Sequence, residues 1–295
     1  MHSYLKTIGF RSYQNKRQIR QLLQLAMEKP DTMHLVQTDM DSTMAVLTRE
    51  VAEGIGLALY GEMDENGQFQ MEYYYPYMVG DEISSVSETV IQKQGSRDSF
   101  AGMYEDYRVG MTLIYFLTNV FQMKELFSRT GKEPKVLSTR LAGLASEGKI
   151  ILPVRKSTME LKQAKVLSRR REKLIEEAKQ GNEEALEDLT IEEMNTYAKV
   201  SRRLEKEDLY SIVDSFFIPN GVECDQYSVM GDIQGCETVK NKITGEELVR
   251  MSLLCNDISI QVLINREDLL GMPAPGFRFK GNIWLQGSAE FQVNS

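Results

Sequence analysis

One stretch, residues 156–208, divides this chain and limits what it can fold into. It reads as helix. Leu161, Ala164, Leu167, Leu174, Ile175 and Ala178 recur at helical spacing as one apolar stripe, broken by Arg171. Ser157 with Glu160, and Thr190 with Glu193, have capping-box spacing. Gly181 is placed to stop one helix and Asn182 to cap a short next one. Met194, Tyr197, Ala198, Ser201 and Leu204 mark a last helix. Strand-like runs stand on both sides of this stretch. The expected class is therefore α+β in three parts: 1–155 as an antiparallel sheet with a helix, 156–208 as a helical hairpin or connector, and 209–295 as a small β-barrel.

In the first part, residues 15–28 predict a helix. Ile19, Leu22, Leu23 and Ala26 form its apolar stripe, and Pro30 follows its end. Strands are expected at 34–38, 44–51, 56–63, 68–79, 87–92 and 109–117. Asp64-Glu65-Asn66-Gly67 between two of them is a hairpin signal. Residues 135–154 read either as another hairpin turning at Ser146-Glu147-Gly148 or as a short helix and a strand.

The third part holds four strand candidates, LYSIVDSFFI, YSVMGDIQGCETV, ELVRMSLLC and ISIQVLI, with a KITG turn between the second and third. NREDLLG reads as a helical turn, and FRFKGNIWLQGSAEF as one or two more strands. Several short strands with one small helix near the end suggest an OB-like barrel, an analogy of fold that carries no function.

Composition narrows the setting. The 295 residues carry a formal charge of −8, with 42% hydrophobic and 26% charged residues, the profile of a globular protein. The longest apolar run, MTLIYFLTNVF, is too short to cross a bilayer about 30 Å thick. The first residues lack the apolar core of a signal peptide. Three cysteines, Cys224, Cys236 and Cys255, form no C-x-x-C pair. A cytoplasmic location is expected, with no membrane partner. The acidic balance argues against nucleic-acid binding.

FIPNGVECDQYSV, LCNDISIQVLIN, DLLG and GFRFKGNIWLQG together resemble an uncharacterised family of cytoplasmic proteins from Gram-positive anaerobic bacteria. The resemblance covers the whole chain. It implies a bacterial protein and adds no activity and no catalytic residue.

The candidate sites each have a plainer reading. Cys224, between Glu223 and Asp225, would need a nearby cation or histidine to react as a thiolate; alternation along a strand instead makes it a small buried group beside Val222. Only His2 and His34 exist, so the commonest general base is scarce. EMDENGQFQME resembles a calcium loop at Asp64, Asn66 and Gly67 but has Glu62 first and Tyr73 twelfth, so a hairpin turn is expected. GIGLAL lacks the third glycine of a dinucleotide fingerprint, and Asp39 with Asp41 reads as a solvated turn. Lys162, Lys165, Arg169, Arg170, Arg171, Lys173 and Lys179 form a basic helix face. The acids that follow it, Glu183 to Glu193, are expected to neutralise it.

The leading expectation is a non-catalytic binding or interaction protein without cofactor or metal. Its C-terminal barrel would face a small-molecule ligand or protein partner, and the helices would serve as spacer or dimer contact. Glu223, Asp225, Tyr227, Arg278, Lys280 and Trp284 are the candidate ligand residues. One alternative is an enzyme using the carboxylates, Lys280 and Arg278 in a cleft between two β-rich domains. The other is an RNA-binding protein using helix 162–179.

Overall fold

The 13-residue helix α1 (Lys16–Glu28) forms where its stripe was expected. Asn15 caps it: the Asn15 side chain accepts the Gln18 amide, and Gln18 reaches back to the cap. Ile19, Leu22, Leu23 and Ala26 are its buried residues. The computed structural model describes residues 3–39, 42–95, 99–153, 166–167, 170–171, 173–175, 177–178, 180–204, 212–222 and 224–292. They fall into two compact units, Met1–Ile151 with Phe217–Ser295, and Leu152–Phe216.

In the first unit, α1 covers one face of a four-stranded antiparallel sheet ordered β1 (Thr32–Asp39), β2 (Ser42–Ala52), β3 (Ile55–Met63), β4 (Phe69–Met78). The β3–β4 turn is the expected one. The Asp64 carboxylate accepts the Asn66 and Gln68 amides at 2.9 and 2.7 Å, and Gly67 takes φ 73°. A 3-10 helix (Ser3–Ile8) packs beside this sheet.

The remaining strands form one ten-stranded mixed sheet. They are β5 (Val90–Gln94), β6 (Ser99–Asp106), β7 (Met111–Leu117), β8 (Val136–Ile151), β9 (Phe216–Pro219), β10 (Gln226–Lys240), β11 (Glu247–Cys255), β12 (Ile258–Asn265), β13 (Leu269–Leu270) and β14 (Arg278–Phe291). Helix α2 (Val120–Thr130) follows β7, and a 3-10 turn (Arg266–Asp268) precedes β13.

The chain divides differently from the three-part sequence reading. Segments 1–155 and 209–295 were expected to be separate domains, yet both contribute strands to the large sheet. β8 pairs along almost its whole length with β14, from Val136↔Phe291 to Ile151↔Arg278, and in parallel with β12 on its other side. A strand pattern shows that a segment pairs, not which distant segment it pairs with. The N-terminal segment is stitched to the C-terminal strands as well. Asn241 Nδ2 donates to Ile8 O at 2.7 Å and Asn265 Nδ2 to Lys6 O at 2.9 Å, while Thr7 Oγ1 donates to Ala145 O of β8 at 3.0 Å.

Residues 136–151 make one 16-residue strand rather than a hairpin or a helix and strand. Gly148 is no turn residue. It faces Gly281 in register, and the Phe279 ring lies against both positions; an added Cβ would sit 2.3 Å from that ring at Gly148 and 2.5 Å at Gly281. Helix α2 was not anticipated from the sequence.

Pairings run in a circuit, β8–β12–β11–β10–β14 and back to β8. The core cluster over these strands includes Val229, Ile233, Met251, Ile260, Phe279 and Ile283. Gly143, Gly148 and Gly231 occur where side chains of neighbouring strands, Ile283, Phe279 and Cys255, take up their space, and at Gly281 the Phe279 ring of the same strand does so. The circuit is packed rather than hollow.

In the second unit, helix α3 (Glu183–Leu204) starts where Asn182 caps it, its side chain accepting the Glu184 amide at 3.1 Å. Gly181 before it takes φ 88°. One helix runs where a short helix and a last helix were expected. The basic stretch meets acids as anticipated: Arg170 lies 3.6 Å from Asp188 and 3.5 Å from Glu192. Lys162, Lys165, Arg169, Lys179 and the Ser157–Glu160 spacing lie outside the described residues.

Candidate functional site

β4 reads FQMEYYYPYM, and alternation puts Tyr73, Tyr75 and Tyr77 on one face. Register extends that face across the sheet. Tyr60, Ala58 and Gly56 of β3 stand opposite the three tyrosines, and Val46, Thr48 and Glu50 of β2 opposite those. The other face carries Ala45, Leu47, Leu57 and Leu59, which join α1 in one core. The sheet therefore has an aliphatic side under a helix and an aromatic side.

The aromatic side forms the floor of a groove of about 690 Å3. Phe121 and Gln122 of α2, Gly80 and Asp81 after β4, Arg140 of β8 and Ser288 to Glu290 of β14 supply the walls. Each wall is fixed by a specific contact. Asn119 pairs with β14 as a strand would: its Nδ2 donates to Ala289 O at 2.7 Å and its Oδ1 accepts the Ala289 amide at 3.0 Å. That anchors the start of α2, whose Phe121 stacks on His34 with centroids 4.0 Å apart. The fully buried Gln286 holds β14 to the end of β4. Its Nε2 donates to Pro76 O at 2.8 Å and its Oε1 accepts the Met78 amide at 3.2 Å. Arg140 Nη2 lies 3.6 Å from Glu290, whose carboxylate also accepts the Ser138 hydroxyl at 2.7 Å.

The groove tyrosines are held as phenols. Burial pushes Tyr77 up to about 12, with the Glu50 carboxylate adding to the shift and Thr48 opposing it. Burial also raises Tyr75 above its ordinary value, and Tyr75 Oη donates to Thr118 O at 3.1 Å. Gly56 makes room for Tyr77: a Cβ there would lie 2.8 Å from the phenol oxygen. The arrangement can stack a flat molecule over aromatic rings and meet it with carboxylates at the rim.

The sequence-derived site residues lie elsewhere. Asp225 and Trp284 come together, the indole N–H donating to the Asp225 carboxylate at 2.7 Å. Burial raises the Asp225 carboxyl above its usual range, opposed by that hydrogen bond. Trp284 also stacks on Tyr4, 5.5 Å between centroids. Tyr227 is buried against Phe217, and its hydroxyl takes the Ile114 amide at 2.8 Å and donates to Ile114 O at 3.2 Å. Burial pushes Tyr227 up to about 12. Arg278 is buried opposite Asp232 in register. Lys280 lines a separate depression of about 480 Å3 with Lys149, Ser228, Asn282 and Glu267. Glu223 lies outside the described residues. Cys224 precedes β10 rather than lying in it. It is half-buried, with Sγ 3.3 Å from Gln226 O, and Val222 beside it is 93% exposed. The expectation of a buried strand thiol is corrected: β10 begins at Gln226, after the cysteine.

Among the described residues, no group of three or more His, Cys, Asp and Glu is placed to hold a metal ion, and no helix is long and apolar enough to cross a membrane.

These features define a strand-rich α+β protein with a packed mixed sheet and an aromatic groove beside it. The chain belongs to the family described as a domain of unknown function named from an E. rectale gene, DUF3881, which matches residues 5–287. That span takes in the strands on both sides of the helical stretch, as the resemblance implied. No curated protein and no solved structure matches the chain.

Proposed function

We propose that this protein binds a small organic molecule in the tyrosine groove and performs no chemistry on it. The observation that carries this reading is the groove itself. At about 690 Å3 it is of ligand size, with Tyr75, Tyr77 and Phe121 as apolar surface and a few polar groups at its edges. The Tyr75 hydroxyl is engaged with Thr118, and the raised pKa values of both tyrosines suit them to packing rather than to proton transfer. The circuit of β8, β10, β11, β12 and β14 is, on this reading, the small OB-like barrel expected from the sequence, completed by β8. It serves as a rigid base for the groove wall on β14. A cytoplasmic setting fits the three free cysteines. The helical unit acts as spacer or dimer contact.

A ligand-observed NMR screen of small aromatic compounds against the full chain tests the proposal. Hits should lose about tenfold or more in affinity in the Phe121→Ala variant. Hits indifferent to that change, or turnover of a bound compound, would reject it.

A second reading places an anionic ligand or partner on the C-terminal strands, at the depression holding Lys280. Lys280 and Lys149 are cross-strand partners there and supply two cations beside Glu147, Glu267 and Asp268, which fits a small anion held by the lysine pair. Binding that survives Phe121→Ala and is lost in Lys280→Ala would select this reading.

A further inference from the structure

The polar edge of the groove is unbalanced in charge. Among the described residues, Glu50, Asp81 and Glu290 line it, with Arg140 as the one cation. Arg140 is already paired with Glu290. Asp81 is satisfied in part, by one amide hydrogen from Gln261 at 2.9 Å. Glu50 has no ion pair among the described residues, and it sits on the same sheet face as Tyr77, Thr48 and Ala58. The carboxylates of Glu50 and Asp81 thus remain as negative charge beside aromatic side chains in a partly enclosed space.

An anion entering here would meet that charge with one guanidinium already engaged. A neutral molecule would gain from stacking alone. A cation gains twice, from the carboxylates and from attraction to the electron-rich rings of Tyr75, Tyr77 and Phe121. We propose that the groove selects an organic cation: a flat or alkyl body seated on the tyrosines, carrying an ammonium or guanidinium group toward Glu50 and Asp81. This rests on the reading of the groove as a binding site.

Three probes of one shape and different charge test it: phenethylammonium, phenethyl alcohol and hydrocinnamate, titrated against the full chain by NMR at low and high salt. The cation is expected to bind about tenfold more tightly than the alcohol, a gap that narrows with salt, and hydrocinnamate to bind weakest. The double variant Glu50→Gln, Asp81→Asn should close the gap while leaving the affinity for phenethyl alcohol unchanged, with melting curves confirming an intact fold. Phe121→Ala should weaken all three probes. Equal binding of cation and alcohol, or a preference for hydrocinnamate, would overturn the charge selection and leave the groove reading standing. Binding of none of the probes, or binding that ignores Phe121→Ala, would overturn both.

Discussion

The five-strand circuit and the tyrosine groove both set aromatic rings against glycines, and they end with opposite capacities. In the circuit, Phe279 fills the space left by the cross-strand pair Gly148 and Gly281, and strands close in from every side. In the groove, Tyr77 and the Arg49 carbonyl take the space beside Gly56, and the walls beyond the ring stand back to leave about 690 Å3 of open volume. The same device makes a solid core in one place and a lined surface in the other. What decides between them is whether a second sheet wall reaches across.

The largest expected effect lies in the circuit. Gly148→Val drives a branched side chain into Phe279 and Ile264 and should cost about 3 kcal/mol in denaturant unfolding. An unchanged midpoint would mean the circuit has slack and the contrast fails. Gly56→Ala should cost somewhat less, about 2 kcal/mol: its single added carbon meets the Arg49 carbonyl oxygen at 2.5 Å and the Tyr77 phenol oxygen at 2.8 Å, and of these the Tyr77 side chain has open space to move into. It should nonetheless weaken binding of phenethyl alcohol in the groove. Stability lost without any change in binding would separate Tyr77 from the ligand surface.

The smallest effect is a pH dependence at Asp225, outside both regions. Burial raises its carboxyl, so the folded state favours the protonated form. That contribution is fully present below the unfolded value near ~4 and is lost as pH rises through the raised folded value. Asp225→Asn keeps an acceptor for the Trp284 indole and carries no charge to bury. It should melt higher than the parent at neutral pH, with the advantage shrinking as pH falls toward ~4. A constant difference at all pH values would show that the carboxylate is not the cause.

Local structure was legible where its cause is local. The stripe of α1, the Asp64–Gly67 turn and the Gly181–Asn182 break each depend on residues a few positions apart, and each was read correctly. β8 was misread because glycine marks both turns and close approaches, and only Phe279, far along the chain, distinguishes them. Helix α2 was overlooked although Asn119 and Gly131, the latter at φ 65°, bracket it and Val120, Met123 and Phe127 recur at helical spacing. The tyrosine row was visible as alternation in YYYPY. Its meaning was not, because the groove gathers β2 and β4 with residues 118–122, Arg140 and the end of β14. The C-terminal cluster drew attention through its single tryptophan and alternating cations, and Trp284 proved to be a packing residue tied to Asp225.

The late pairing of β8 has a consequence for how the molecule comes into being. Its neighbours β12 and β14 begin at Ile258 and Arg278, so the ribosome makes β8 long before either exists. During that interval the 16-residue strand lacks its partners in the large sheet and has the backbone bridge from Thr139 to Ser85. Closure of the sheet must wait for the last strand, which makes the nascent chain a natural client for factors that shield exposed strands.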